Sequence, residues 1–529
     1  MASDTTFAGA PGRDRPAAPS KWLVTLSVLM GALMGAIDTS VVNVALTHIQ
    51  ASYGVTVQQV AWVSTSYLIT VVLVMPLTAW LGTVVGRRRV YLWSVVIFTV
   101  ASAFCGLSHT LGQLIFFRVL QGLGGGALQP IAQAIMRESF PAEEQGQAMG
   151  FFGMIVLLGP AIGPTLGGWL TDNYSWPWIF FVNLPIGALG LLLGSRFIID
   201  PPYMRGRGLG RFDYVGIGLL VIGLASLQIM LEEGERDGWF TSPFILTLTA
   251  IAIPALIAFV LWELRTSIPA VDLRVLRDVN FASGSLIMAI IGLVLFGGLI
   301  LLPLFLQNLL RYDATQAGIA LMPRSLVMVL MMPVAGAIYN RLGLYIMLPF
   351  GLITSGFAGL MMARFNLDSG PLQIFLPQVI QGIGFAFMFI PLATASLSTI
   401  PRPQLQSAAG LFNLVRQLGG SLGTAIVITL LDHRTTIASA GLMRYANPYN
   451  ATFMQWWQTF QAALVARGSD QTTARMQALA VLHGFISQQA AVIAYDYVFA
   501  VIAIVFFVCL PLVFLMRGGR RREAVALAE

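Results

Sequence analysis

Apolar runs of about 20 residues, each long enough to cross a bilayer core as a helix, recur along the chain between short polar breaks. Fourteen stand out, near residues 22–45, 60–81, 90–108, 112–135, 148–170, 178–198, 214–231, 243–263, 281–307, 317–338, 345–363, 374–397, 406–431 and 491–516. The predicted fold class is an all-α membrane protein with fourteen transmembrane helices. The first run is not followed by a small-residue cleavage site, so it reads as a retained helix and not a signal peptide. Residues 1–20 read as a disordered cytoplasmic N-terminus, and 517–529 as a cytoplasmic tail.

The pattern repeats. "RVLQGLGGGAL" at 118–128 matches "QVIQGIGFAFM" at 378–388, an offset of 260 that also pairs Gly159 and Gly163 with Gly419 and Gly423. A six-helix bundle over 21–200 therefore corresponds to a second over 281–516. Two extra helices with cytoplasmic linkers occupy 201–280. This six-plus-two-plus-six layout is the parallel duplication of carriers that rock about a central site. One outer loop, 432–490, is long, polar and Gln-rich. Its stretch "FMQWWQTFQAALVARG" at 453–468 fits a helix lying on the membrane surface or a helical hairpin capping the outer face, and the loop is a natural docking site for an outside partner.

Composition narrows the class. The chain is 57% hydrophobic and 10% charged, with mean hydropathy +0.79, which no soluble fold can bury. If the N-terminus and alternate loops are cytoplasmic, those segments hold most of the 30 Lys and Arg, while the opposite short loops hold only Arg236, Arg311 and Arg364. This is the positive-inside pattern and places both termini in the cytoplasm. The net charge of +7 thus reports topology. Nucleic-acid binding would need a basic face on a soluble domain, and none is present. Both cysteines, Cys105 and Cys509, fall inside membrane runs. His48, His109, His433 and His483 are scattered, without metal-ligand spacing. No cofactor or metal is expected. The clustered polar groups of a membrane-bound enzyme are also missing.

Charges inside the runs are the candidate chemistry. "GAIDTSVVNVA" at 35–45 carries Asp38. Gly31, Gly35 and Asp38 share a helix face, and small residues at that spacing mark close helix packing, so Asp38 faces protein or a cavity. It lies about 24 Å from the cytoplasmic end, and Arg118 of the fourth run lies about 9 Å in from the outside. The depths match, and a buried charge requires a partner. At offset 260, Asp38 falls on Gly298 and Arg118 on Gln378, so the second half manages without either charge. The pair reads as a proton-coupling site, with a static salt bridge as the plain alternative. In general, low dielectric favours the protonated carboxyl and a nearby guanidinium opposes it, so separating such a pair changes proton affinity.

Arg416 shares a face with Asn413, Gly420 and Thr424, and is a possible second charged site. Its partner is a backbone carbonyl, an anionic substrate group or Asp38. Arg324, after Pro323, reads as structural. The "GLGGG" at 122–126 is a weak dinucleotide match inside a membrane helix and is better explained by close packing. Gly159, Pro160, Gly163, Pro164 and Gly167 lie in one helix and suggest a hinge, or packing alone. Gly86, Arg87 and Arg88 form a tight cytoplasmic loop suited to gating. Candidates for a midplane substrate cavity are Ser66, Tyr67, Gln129, Gln133, Gln307, Asn308 and Asn413. The many Phe and Met suit promiscuous binding, although lipid contact alone would also favour them.

These residues resemble the major facilitator superfamily, specifically its fourteen-helix drug:proton antiporters of the EmrB/QacA type. The likeness spans about residues 20–516. "IDTSVVNVALTHI" carries Asp38 and Asn43, "LGTVVGRRR" matches the inter-helix Gly-Arg-Arg motif, "RVLQGLGGG" carries Arg118, and "GPAIGPTLGG" matches the antiporter motif, followed by "WPWIFFVNLPIG". "LQIMLEEGERDGWF", "LPQVIQGIGFAF" and "NLVRQLGGSLGT" look like the EmrB branch in particular. The likeness departs at Thr83, where the motif carries an acid, at Thr47, where Pro is usual, and in lacking the extra acids of the thirteenth helix in QacA-like members. It implies the major facilitator fold in a bacterial inner membrane and export of amphipathic drugs driven by the proton gradient, with Asn43 at the substrate cavity. It also implies partnership with an EmrA-like periplasmic adaptor and an outer-membrane channel. The rival readings are a dedicated exporter of one lipid, siderophore or antibiotic, and a receptor or scaffold without transport.

Overall fold

The computed structural model describes residues 20–200, 213–267 and 269–516. The segments 1–19, 201–212 and 517–529, read above as disordered or cytoplasmic, lie outside the described residues. Among the described residues, fourteen helices are long and apolar enough to cross a membrane, and no strand occurs. The first half contains α1 (Lys21–Tyr53), α2 (Val57–Val85), α3 (Arg87–Gly106), α4 (Leu111–Ser139), α5 (Gln145–Asn173) and α6 (Trp178–Phe197). The inserted pair is α7 (Tyr214–Glu233) and α8 (Pro243–Arg265). The second half contains α9 (Val279–Asn308), α10 (Ala314–Leu342), α11 (Leu344–Met362), α12 (Pro371–Ser396), α13 (Leu405–Met443) and, after the outer helix α14 (Ala451–Ala466), α15 (Gln471–Val508).

Short polar breaks end one helix and start the next. Thr56 and Gln59 form a reciprocal capping box at the start of α2. Asp278 and Asp313 cap α9 and α10. Between α2 and α3, Gly86 adopts φ +94°, a conformation strained for any side chain.

The two halves repeat one packing scheme. A Cβ at Gly159 or Gly163 of α5 would meet the Ala36 carbonyl at 2.2 Å or Ser40 Cβ at 2.3 Å on α1. At Gly419 or Gly423 of α13 it would meet the Ala289 carbonyl at 2.2 Å or the Leu293 carbonyl at 2.0 Å on α9. The α5/α13 offset is 260, but α1 and α9 are offset by 253, since 289 − 36 = 293 − 40 = 253. The counterpart of Asp38 is therefore Ile291 and not Gly298. Loops of unequal length shift the register between helices. Likewise Gly122 abuts the Tyr67 carbonyl and Gly382 the Arg324 carbonyl, so Arg324 is the counterpart of Tyr67.

On the cytoplasmic side the halves close on each other. Gly146 of α5 and Gly336 of α10 touch through their backbones. Asn340 donates to the Glu143 carbonyl. Gln406 of α13 donates to the Thr78 carbonyl of α2 at 2.8 Å and lies against Gly82. Toward the outside the halves part around a cavity.

The inserted pair flanks this cleft. Gln228 of α7 donates to Ser421 Oγ of α13 at 2.7 Å, and Trp239, just after α7, donates to Thr429 of α13 at 2.9 Å. The outer loop is helical. At 39 residues α13 is about 58 Å long, well beyond the ~30 Å hydrocarbon core. The helix α14 folds back on the outer extension of α15, with Phe460 stacked on Phe485 at 5.7 Å and Arg475 over Trp457 at 5.2 Å. Of the two expected forms, the hairpin is the one that occurs.

Candidate functional site

Asp38 is fully buried on α1, and Arg118 of α4 is 1% exposed. Arg118 Nη1 donates to Asp38 Oδ2 at 2.6 Å and to Gln121 Oε1 at 2.7 Å. Its Nε donates to the Val63 carbonyl at 2.9 Å. The other carboxylate oxygen accepts from Gln121 Nε2 at 2.8 Å and Asn183 Nδ2 at 3.1 Å. Asn183 also donates to Ser102 Oγ at 3.1 Å, and Ser102 donates to the Phe180 carbonyl at 2.9 Å. The ion pair is thus held by α1, α2, α3, α4 and α6. Gln121, Asn183 and Ser102 are absent from the candidates drawn from sequence. Gln121 was detectable, one turn after Arg118 on the same face. Asn183 is the polar interruption in "FFVNLP".

The guanidinium carbon of Arg118 lies 4.1 Å from the centroid of the Tyr67 ring. Tyr67 also lines the cavity between the halves. Its hydroxyl occupies space left by Gly35 and Gly125, where added Cβ atoms would lie 3.8 and 2.8 Å from it. Tyr67 is therefore the wall between the sealed ion pair and the cavity.

The cavity is about 300 Å³, at the small end for ligand pockets. Asn43, Ser64, Tyr67, Gln129, Glu232, Arg324 and Arg416 line it, together with apolar groups such as Val71, Phe296, Leu299 and Met328. Asn43 is exposed and accepts from Ser64 Oγ at 3.0 Å, near the outer rim. Arg416 Nη2 donates to Gln129 Oε1 at 2.9 Å and to Asn413 Oδ1 at 3.4 Å.

Several expected cavity residues lie elsewhere. Ser66 is buried outside the lining. Ser64, Tyr67, Val71 and Met75 follow helical spacing along the cavity face of α2, and Ser66 is off that face. Gln133 and Asn413 are buried and joined, Asn413 Nδ2 donating to Gln133 Oε1 at 2.6 Å, so they tie α4 to α13 beneath the cavity. Gln307 and Asn308 are exposed at the outer end of α9, where Asn308 bonds Tyr495. Arg324, read as structural, lines the cavity. Glu232, absent from the candidates drawn from sequence, does so too, because α7 stands beside the cleft.

Gly159, Gly163 and Gly167 form the close track of α5 against α1. The helix is unbroken through Pro160 and Pro164. In the cytoplasmic loop, Arg87 Nη2 donates to Glu138 Oε2 at 2.8 Å. The Arg88 amide donates to Asp200 Oδ1 at 2.7 Å, and its side chain donates to the Ser195 carbonyl. Asp200 fills the space beside Gly86. Thr83 Oγ1 donates to the Trp80 carbonyl at 2.8 Å, within its own helix. Among the described residues no cluster of three metal-ligating side chains occurs.

A buried ion pair beside a cavity, between two halves built alike, is the plan of a rocking carrier. The family model described as Major Facilitator Superfamily matches residues 28–424. The chain belongs to the Major Facilitator Superfamily. It is 35% identical over 494 residues to the multidrug export protein EmrB of Escherichia coli K12, covering 93% of this chain and 94% of that one. It is 32% identical to the fatty acid resistance protein FarB of Neisseria gonorrhoeae, covering 93% and 96%. The solved structure of the human organic anion transporter MFSD10 superposes with TM-score 0.58 at 14% identity, over 92% of this chain and 100% of that one, and shares the fold. The protein is a multi-pass membrane transporter of the secondary class and not an enzyme.

Proposed function

We propose that the chain is a proton-coupled multidrug efflux antiporter of the bacterial inner membrane, exporting amphipathic toxic compounds by alternating access. The observation that carries this reading is Tyr67. It contacts the Arg118–Asp38 pair on one side and forms cavity wall on the other, so occupancy and protonation share one side chain. With the cavity open outward, a drug leaves and a proton reaches Asp38. The neutral carboxyl holds Arg118 less strongly, Tyr67 shifts, and the halves rock. The proton is then released toward the cytoplasm. The relative named multidrug export protein EmrB supports the substrate breadth.

An EmrA-like periplasmic adaptor and an outer-membrane channel complete the path. The adaptor docks on the outer hairpin, where Tyr449 is 98% exposed and Trp456 is 55% exposed. Gly86, Arg87 and Arg88 brace the cytoplasmic gate, and α5 bends at Gly159–Gly167 during rocking.

The test is a panel of chemically unrelated dyes in proteoliposomes under an imposed pH gradient. Uptake of several, abolished by collapsing the gradient, is the expected result. Uptake of one compound alone identifies a dedicated exporter. No gradient dependence removes proton coupling.

A further inference from the structure

Two guanidiniums line the cavity from the second half without a carboxylate partner. Arg324 is 2% exposed and Arg416 is 7% exposed, and both line the cavity. Among the described residues neither has an acidic oxygen within 4.0 Å. Among the described residues Arg324 reaches Gln381 Oε1 alone, at 3.3 Å, and its Nη2 has no partner. Arg416 reaches Gln129 and Asn413, and its Nε has no partner. Buried cations without counter-ions are costly in a membrane domain and mark a ligand or ion path. Symmetry sharpens the point. Arg324 stands where Tyr67 stands in the first half, and Gln381 where Gln121 stands. The second half thus has a guanidinium where the first has the Tyr67 wall, and Ile291 and Gln378 where the first has Asp38 and Arg118.

The charge of the lining points one way. Arg324 and Arg416 contribute two positive charges and Glu232 one negative, the carboxylate being near the outer rim on α7 with Oε1 bonded to Gln228 Nε2 at 3.0 Å. Apolar Phe296 and Leu299 of α9 lie in the same cavity. We propose that Arg324 and Arg416 form an anion-recognition site, and that this carrier takes amphipaths with a carboxylate or sulfonate head whose apolar body rests on α9. Guanidinium donors suit such planar or multi-oxygen heads. Glu232 opposes these ligands and raises the relative preference for cationic ones. The proposal rests on the export reading and names the substrate class of the same cavity.

The experiment uses the full chain in proteoliposomes under an imposed pH gradient. It compares an aromatic sulfonate dye, charged at every pH used, with ethidium. The readout is the ratio of their kcat/KM values, which cancels differences in folded fraction. Arg324→Gln and Arg416→Gln each lower the sulfonate-to-ethidium ratio about tenfold, while Glu232→Gln raises it several-fold, a gain that misfolding does not produce. Wild type that moves ethidium but not sulfonate overturns the proposal. So do arginine variants that leave the ratio unchanged. If wild type moves neither dye, the export reading falls, and equilibrium dialysis of the sulfonate against purified protein decides the site. Saturable binding lost in Arg416→Gln upholds it, and equal binding by both proteins overturns it.

Discussion

At the scale of single residues, the Asp38–Arg118 pair behaves as a unit with Gln121 and Asn183. Removing one partner strands a charge in a dry site. Arg118→Leu should cost about 3–5 kcal/mol of stability, and the double variant Asp38→Leu/Arg118→Leu should recover most of that. Thermal unfolding in detergent measures both. Asn183→Leu removes one donor and should cost about 1–3 kcal/mol by the same assay. The pair itself was legible in the sequence, because two opposite charges at one depth in apolar helices have few alternatives. Asn183 was not, because an amide in a membrane run announces no partner. Arg324 and Glu232 escaped for another reason: sequence gives depth along a helix but not which face borders a cleft between halves.

At the scale of helices, packing of α5 on α1 depends on missing side chains. Gly163→Val would drive its Cβ into Ser40 and should destabilise the protein by about 1–3 kcal/mol. Gly298→Ala is the contrasting case, since nothing lies within 4 Å of a Cβ there, and its effect should stay within about 0.5 kcal/mol. Comparing the two variants' melting temperatures checks this. The fourteen spans were legible because each is an apolar run of membrane length. Their outer ends were not. The extensions of α13 and α15 are polar and stand beyond the bilayer, and α14 packs on that of α15. The repeat was legible as an offset of 260 but not its shift to 253 at α9, which only the matched glycine contacts reveal. On the outer hairpin, Tyr449→Ser with Trp456→Ser should weaken capture of an EmrA-like adaptor while leaving dye transport in adaptor-free proteoliposomes unchanged. Pull-down and flux assays separate these outcomes.

At the scale of the whole molecule, the cytoplasmic side is closed and the cavity faces outward. Gly82 and Gln406 meet across the closed side, so cysteines placed at both (Gly82→Cys, Gln406→Cys) should form a disulfide that locks this state. Oxidation should stop transport, and reduction should restore it. The native Cys105 and Cys509 are buried and unpaired and should not interfere. Continued flux in the oxidised variant would mean that this contact does not open during the cycle.

The role proposed for Asp38 is to couple protons to export. It is tested most directly by comparing wild type with Asp38→Asn in proteoliposomes, measuring dye uptake driven by an imposed pH gradient beside gradient-free counterflow. The variant should lose gradient-driven uptake and retain counterflow, since an amide at this position stands in for the protonated carboxyl with which the halves rock. Equal response of both proteins to the gradient would contradict it and leave Asp38 a structural tie.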